Sequence, residues 1–257
     1  YIKRMPIDTY KSQKRGGKGI TGISTREDDF VKQIFTASTH DTILFFSNKG
    51  KLYHLKGYEI PEAGRTAKGT AIVNLLQLDN GEKISAVIPI SNFAEGKYLL
   101  MGTKNGLIKK TALSEYVSSR KTGLLAITLK EDDELIDVRL TDGEDNVVMV
   151  TKKGMSITFD EKDVRPMGRT AQGVIGIRLE EDDQVVGMES IITGGKATLL
   201  AITENGFGKR TELEEYRVQN RGGRGVITYK VTPKTGDIVG IKIASGDEVI
   251  MLMTDTG

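Results

Sequence analysis

The chain lacks cysteine altogether and has only two histidines among its 257 residues. Without cysteine it cannot form disulfides or thiolate metal sites, which is typical of proteins in a reducing compartment. His40 and His54 alone cannot build a zinc cluster. No apolar run approaches the ~18 residues of a membrane helix, and residues 1–10 lack the apolar segment of a signal peptide. We therefore expect a cytoplasmic protein that makes no membrane contact, and a sequence truncated at both ends.

Sequence patterns of catalysis are missing as well. There is no phosphate-binding loop and no metal-ligand spacing, and no nucleophile pattern accompanies His40 and Asp41, which we expect to form a turn. We therefore expect no catalytic residue, no metal site and no cofactor in this chain. The composition, 38% hydrophobic and 28% charged, is that of a folded globular domain. The net charge of +2 does not by itself indicate a nucleic-acid partner.

What the sequence has instead is a repeat. An apolar strand, a short polar turn with glycine and a second strand occur in LFFSNKGKLYHL and recur three times at intervals of 56, 48 and 52 residues. Alternating apolar residues around Asn-Gly and Lys-Gly pairs are typical of β-hairpins, and units of about 50 residues with about four strands are typical of propeller-like rings. We predict one all-β domain over residues 1–257. The turn glycines are Gly50, Gly106, Gly154 and Gly206, and the predicted units are residues 1–48, 49–103, 104–151, 152–203 and 204–255.

Each unit contains a glycine-containing box. It is complete in Gln13–Gly19 (QKRGGKG) and Gln219–Gly225 (QNRGGRG), and it is degraded in residues 65–69, 120–123 and 169–173. Each box is followed by an apolar segment that is predicted to form a strand. Each box is preceded by a segment that we call the arm. In two of the arms, the segments TALSEYV and TELEEYRV could form one turn of helix. One position of the arm is aromatic or aliphatic in every unit, which favours a core role over base stacking: Tyr10, Ile60, Tyr116, Val164 and Tyr216.

Charge is distributed unevenly within the repeat. The stretches that run from hairpin turn to box contain 26 of the 37 Lys and Arg residues but only 11 of the 35 Asp and Glu residues. The remaining segments contain 11 basic and 24 acidic residues, many of them in acidic turns. If the repeats form a ring, equivalent positions lie at one level, so one rim becomes a basic band. Such a band suits a bent polyanion, because neutralised phosphates release counterions and no base-specific contact is needed.

The composition of the complete box fits phosphate binding. Gly16 and Gly17 leave backbone N–H groups accessible to a phosphate, Arg15 offers a planar fork, and Lys18 offers a point charge. The alternative is a tight connection between blades, which explains the final glycine of each box but not its cations. The predicted DNA-binding residues are Gln13, Lys14, Arg15, Gly16, Gly17, Lys18 and Gly19 in the complete box, and Arg65, Lys68, Arg120, Lys121, Arg169, Arg221 and Arg224 in the other units.

The box QKRGGKG resembles the Q-[RK]-R-G-G-[RK]-G signature of the C-terminal domains of DNA gyrase A subunits. The resemblance extends through the whole chain, in segments such as FTASTHDTILFFSNKGKLYHLKGYEIPEAGRTAKG and VRPMGRTAQGVIGIRL. It implies a β-pinwheel, a propeller-like disc of about six four-stranded blades that exchange strands. It also implies that the basic perimeter wraps double-stranded DNA in a positive sense, which allows gyrase to introduce negative supercoils.

The resemblance further implies partners and a division of labour. The partners are the gyrase B subunit, in a heterotetramer at the nucleoid, together with the rest of the gyrase A subunit, whereas the isolated domain is expected to be monomeric. ATP and Mg²⁺ are used elsewhere in that enzyme, and its catalytic tyrosine belongs to another part of the A subunit. The second complete box, at Gln219–Gly225, is better preserved than the family pattern implies, and it could add a second strong contact.

Three alternatives stay open at this point. The C-terminal domain of a topoisomerase IV A subunit would bind DNA with little wrapping, but its box is degenerate or missing. A propeller-type protein-interaction module would not need the basic band. A propeller enzyme would need polar groups that converge on the central channel, and the sequence supplies none that recur or cluster.

Overall fold

The computed structural model describes residues 1–9, 31–118, 120–192, 194 and 196–245. All four predicted hairpins are present in this part of the chain, and the turn glycines have positive φ angles between 77° and 91°. A glycine adopts such angles without the steric cost of a side chain, and this is why glycine marks these turns in the sequence. The hairpins are β1 (Thr42–Ser47) with β2 (Lys51–Lys56), β4 (Tyr98–Thr103) with β5 (Leu107–Ala112), β8 (Asn146–Thr151) with β9 (Met155–Asp160), and β12 (Thr198–Thr203) with β13 (Gly208–Glu212).

A third strand pairs antiparallel with the first strand of each hairpin. These third strands form one edge of every sheet, and each packs against the third strand of the next sheet. The sheets therefore meet along this edge, which we call the inner edge. The inner strands are β3 (Ile84–Ile90), β7 (Leu135–Thr141), β11 (Val185–Ile191) and β15 (Ile238–Ala244).

The opposite edge of three sheets is formed by a strand from the following unit. Leu124 and Leu125 lie beyond the second hairpin in the chain, but they pair with Leu52 and Lys51 of the first. The resulting sheet orders are β3-β1-β2-β6, β10-β5-β4-β7 and β11-β8-β9-β14, and the fourth sheet shows β13-β12-β15. This exchange is the arrangement that the resemblance implies. The exchanged strands are β6 (Leu124–Leu125), β10 (Val174–Ile175) and β14 (Val226–Ile227).

The exchanged strands are much shorter than the apolar segments that predict them. After two paired residues the chain turns toward a hairpin, and the carbonyl oxygen of Gly106 accepts the N–H groups of Gly176 and Ile177 at 2.8 and 3.2 Å. After the first described box, the segment predicted as a strand forms a 3₁₀ helix, Ile72–Asn74, instead. The described residues contain four sheets, so the blade number of about six and the unit boundaries stay predictions.

The helical content is small, as the sequence predicts. Within the described residues there is no α-helix, and no helix is long and apolar enough to cross a membrane. The two arm segments that could form a helical turn contain one, as the 3₁₀ helices Leu113–Tyr116 and Leu213–Glu215. The other 3₁₀ helices are Ile7–Thr9, Gly57–Glu59 and Glu161–Asp163.

The core lies between neighbouring sheets. Leu44 and Phe46 of β1, Leu99 and Met101 of β4, and Leu135 of β7 belong to one buried cluster, so apolar side chains join consecutive blades. Burial of such side chains contributes roughly 1.5–3 kcal/mol each. The predicted core role of the arm position is confirmed where the structure describes it, because its residues are at most 7% exposed: Ile60, Tyr116, Val164 and Tyr216.

Candidate nucleic-acid interface

Three of the four described boxes lie at the edge of a sheet that faces away from the neighbouring sheets. Each of these three directly precedes an exchanged strand, and the exchanged strands form the edge opposite the inner edge. The arm that leads into the box runs along the same edge, where Pro166 bridges Lys110 of β5 and Val218 bridges Thr158 of β9. We call this side of the molecule the outer edge. The boxes on it span residues 120–123, 169–173 and 221–225. The box at residues 65–69 is followed by the isolated bridge between Thr70 and Ile2, and the complete box Gln13–Gly19 lies outside the described residues.

The final glycine of each described box is required by the connection itself. Gly69, Gly123, Gly173 and Gly225 have φ angles between 77° and 93°. A Cβ atom on Gly225 would lie 2.2 Å from the carbonyl oxygen of Ser156, because the box backbone approaches β9 closely. Only glycine satisfies both conditions without strain. The interpretation of this glycine as part of a tight blade connection is therefore confirmed.

The box arginines at the fourth position before the final glycine point back toward the protein. Arg221 donates from Nη1 to the carbonyl oxygen of Ile175 at 2.7 Å and from Nε to that of Asp163 at 3.2 Å. Arg169 donates from Nη1 to the carbonyl oxygen of Leu125. Both side chains are half-buried, and so is Arg65. Arg169 and Arg221, two of the predicted DNA-binding residues, thus have a structural function at the outer edge that sequence reasoning missed.

The remaining predicted cations are exposed. Lys68, Arg120, Lys121 and Arg224 all project from the boxes into solvent. The side chain of Arg224 is 80% exposed, and its nearest carboxylate, that of Glu180, is 3.8 Å away and itself 65% exposed. Such a pair contributes about 0–1 kcal/mol in water, so an incoming phosphate can replace it at little cost.

Other lysines in the stretches from hairpin turn to box contact residues of the acidic turns. Lys51 contacts Asp79 at 2.6 Å, Lys104 contacts Glu134 at 3.9 Å, and Lys153 donates to the carbonyl oxygen of Glu181 at 2.7 Å. These lysines lie at or next to the hairpin turns and not in the boxes. The positive charge counted along the sequence is therefore only partly available on the outer edge, where exposed cations lie in the boxes and in the arms, such as Arg165 and Arg217.

Lys109 of β5 is a buried cation beneath one of the boxes. Its side chain is inaccessible to solvent, and Nζ donates to the carbonyl oxygen of Ala126 at 2.6 Å and to that of Arg169. Burial, assisted by the positive charge of Arg169, lowers the pKa of Lys109 to about 7. The sequence signal for this residue is its position three residues after a turn glycine, which Lys209 repeats.

One group of carboxylates could in principle hold a metal ion. Asp142, Asp145 and Glu161 offer oxygen atoms within 4.8 Å of one another. Glu161 is buried, but its two oxygens accept hydrogen bonds from the N–H of Asp145 at 2.7 Å and the hydroxyl of Thr141 at 2.8 Å. The ammonium of Lys110 lies 3.8 Å away. These partners satisfy Glu161 without an ion.

The turn at His40 and Asp41 is a satisfied turn, as expected. The carboxylate of Asp41 accepts the N–H of Ser38 at 2.9 Å, and the N–H of Asp41 donates to the carbonyl oxygen of Ser38 at 3.1 Å. His40 is exposed. The pair therefore has the local hydrogen bonds of a loop.

Comparison with known proteins agrees with this geometry. The family model "DNA gyrase C-terminal domain, beta-propeller" matches residues 1–38, 41–91, 97–142, 145–192 and 197–245. The whole chain is 56% identical to part of the A subunit of DNA gyrase from Clostridium acetobutylicum and 48% identical to part of that from Staphylococcus epidermidis, and it spans 31% and 29% of their lengths.

Solved structures give the same answer. A DNA gyrase A C-terminal domain matches with a TM-score of 0.81 and 30% identity over 96% of this chain and 80% of that one. A C-terminal domain of DNA topoisomerase IV matches with a TM-score of 0.71 and 35% identity over 80% of this chain and 64% of that one. The exchanged sheets, the boxes on their outer edges and the family match over nearly the whole described sequence lead to one conclusion: this chain belongs to the family of DNA gyrase C-terminal β-propeller domains.

Proposed function

We propose that this chain binds double-stranded DNA along its outer edge without sequence preference and bends it around the disc. The observation that carries the proposal is the exposure of box cations on more than one outer edge, Lys121 on the first sheet and Arg224 on the third, with Lys68 exposed in the preceding box. Cations on the edges of several blades can neutralise phosphates along a curved path. None of them needs to read a base, because the contacts go to the sugar-phosphate backbone.

The energetics require many contacts to act together. Bending a 20–30 bp segment costs on the order of 1–6 kcal/mol, whereas one exposed ion contact contributes up to ~1 kcal/mol. A single box therefore cannot hold a bent duplex. Several boxes on successive blades can, and the affinity should then fall steeply with salt, by about 0.9 logarithmic units per phosphate for each logarithmic unit of salt.

In the parent protein, the wrap has a positive sense and presents a DNA segment to the strand-passage gate. The parent is the A subunit of a DNA gyrase, which forms a heterotetramer with the B subunit, acts at the nucleoid and uses ATP and Mg²⁺ in other domains. This chain itself supplies no catalytic group. Its contribution is the chirality of the bound DNA, which converts strand passage into negative supercoiling.

The second candidate function is DNA binding with little wrapping, the behaviour expected of a topoisomerase IV domain. The 35% identity to a solved topoisomerase IV domain favours it, whereas the complete box Gln13–Gly19 favours gyrase. The same experiment separates the two. Nicked plasmid is closed by ligase with increasing amounts of the protein, and the linking number is read on a gel.

We expect a positive linking-number change that grows with protein and is lost at high salt. Titration of two unrelated duplexes of equal length is the control, and their affinities should agree. Binding without a linking-number change would support the topoisomerase IV alternative. A preference for one duplex of more than about a hundredfold, as base readout gives, would contradict both candidates.

A further inference from the structure

Two of the arginines in the boxes are held by the blade next to their own. The box at residues 169–173 lies on the outer edge of the second sheet, but Arg169 donates to Leu125, which is the last residue of β6 on the first sheet. The box at residues 221–225 lies on the third sheet, but Arg221 donates to Ile175 at 2.7 Å, the last residue of β10 on the second sheet. The acceptors are thus repeat-equivalent carbonyl oxygens.

Backbone contacts accompany these arginines at the same junctions. The N–H of Gly222 donates to the carbonyl oxygen of Gly176 at 2.7 Å, and the N–H of Arg178 donates to that of Gly223 at 2.8 Å. At the junction before it, the hydroxyl of Thr128 donates to the carbonyl oxygen of Thr170 at 2.6 Å. Each box is thereby fastened to two sheets, its own and the preceding one.

We infer that Arg169 and Arg221 are positioning residues that set the step between neighbouring outer edges, and that they are not the phosphate contacts of their boxes. The inference rests on the proposed function, because the step matters only if a ligand crosses from blade to blade. In the same box as Arg221, Arg224 is the phosphate contact, since its side chain is 80% exposed and pairs only with the exposed carboxylate of Glu180, 3.8 Å away.

The chemistry of arginine and lysine separates the two roles. Arg221 uses two N–H groups of a planar fork for two carbonyl oxygens, those of Ile175 and Asp163. A lysine ammonium is a compact charge on a flexible stem and cannot reproduce that fork, although it still neutralises a phosphate as a point charge. Replacement by lysine should therefore damage a positioning arginine and spare a phosphate contact.

The test compares R221K and R221Q with the matched pair R224K and R224Q in the 257-residue chain. Two quantities are measured for each variant: the salt dependence of affinity for a duplex too short to reach a second blade, and the linking-number change on nicked plasmid at saturating protein. For R221K and R221Q we expect the salt slope of the wild-type protein and a linking-number change reduced by about twofold or more, because the path of the DNA is altered.

For R224Q we expect a salt slope reduced by up to about one and a linking-number change that reaches the wild-type value at saturating protein. For R224K we expect a smaller reduction of the salt slope than for R224Q, because lysine keeps the positive charge. The inference is wrong if R221K gives the wild-type linking-number change, or if R221Q lowers the salt slope as R224Q does. A melting curve checks the folding of each variant, and if R221Q does not fold, R221K decides. A wild-type protein that changes no linking number would refute the proposed function instead, so the two failures are distinguishable.

Discussion

At the scale of single residues, Lys109 shows what burial does to a cation. Its ammonium is enclosed between the carbonyl oxygens of Ala126 and Arg169, and burial lowers its pKa to about 7 from 10.5. The unfolded chain binds this proton up to a pH of ~10.4, whereas the folded chain releases it near neutrality. Between these pH values the unfolded state carries the extra proton, so stability must rise with pH.

We therefore predict a pH dependence that a single substitution removes. From about pH 7 to about pH 10, Lys109 should raise the free energy of unfolding by up to ~1.4 kcal/mol per pH unit, and below this range its effect should be flat, because both states are then protonated. The difference in unfolding free energy between wild type and K109M, measured by urea titration, isolates this contribution from that of other groups. The free energy of unfolding of the wild-type protein should increase relative to that of K109M as the pH rises.

The matched control is K209M. Lys209 occupies the equivalent position three residues after its turn glycine, but it is exposed, so K209M removes a lysine from this position without removing a buried ammonium. A wild-type profile parallel to that of K109M would show that the buried amine does not titrate in this range. The sequence alone could not distinguish these two lysines, because the carbonyl oxygen of Arg169 that helps to enclose Lys109 comes from a residue sixty positions away.

At the scale of elements, the strand exchange rests on close backbone contacts at the hairpin glycines. Gly154 has a φ of 91°, its carbonyl oxygen accepts the N–H groups of Thr228 and Tyr229, and a Cβ atom would lie 2.0 Å from the carbonyl oxygen of Tyr229. We predict that G154A lowers the free energy of unfolding by about 3 kcal/mol or more, because it combines an unfavourable φ with a backbone clash. Thermal or urea unfolding measures the loss.

Gly206 provides the control for this prediction. It is the equivalent turn glycine with a φ of 79°, but a Cβ atom there would meet no described atom within 4 Å. G206A should therefore cost only the ~1–2 kcal/mol of a left-handed backbone. Equal losses for G154A and G206A would mean that the exchanged strand adjusts easily, and that the junction is not a rigid element.

How far the sequence predicts the elements depends on the range of the contacts. Hairpins are local, so turn glycines and alternating apolar residues predict all four of them correctly. The exchanged strands β6, β10 and β14 pair for only two residues each, with a partner far away in sequence, so their position is predicted from the box but their length is overestimated. Arg221 and Arg224 lie in the same box but have different partners, because Arg221 reaches a carbonyl oxygen of the neighbouring blade and Arg224 does not.

At the scale of the whole molecule, the question is how a distributed basic surface gives the bound DNA a defined path. Exposed cations such as Lys121 and Arg224 act as separate point charges, and each can be lost for about 1 kcal/mol or less. The number of Lys and Arg residues in the sequence overestimates the exposed positive charge of this surface, since Lys51 and Lys153 contact the acidic turns. A surface of weak, replaceable contacts can bind DNA, but it does not by itself prevent one end of a bent duplex from dissociating and straightening.

The complete box Gln13–Gly19, outside the described residues, is the hypothetical fastening point, because only this box and that at Gln219–Gly225 combine Gly-Gly with two or more cations. We predict that replacing Gln13–Gly19 with a neutral loop of equal length leaves the melting temperature and much of the equilibrium affinity intact, because the other boxes remain. It should abolish the linking-number change, since a duplex with a free end recovers its bending energy. In the intact enzyme, negative supercoiling should disappear while ATP-driven relaxation persists. A variant that melts normally and still introduces negative supercoils would mean that this box only connects two blades, and the path of the DNA would then have to be set by the junctions at Arg169 and Arg221.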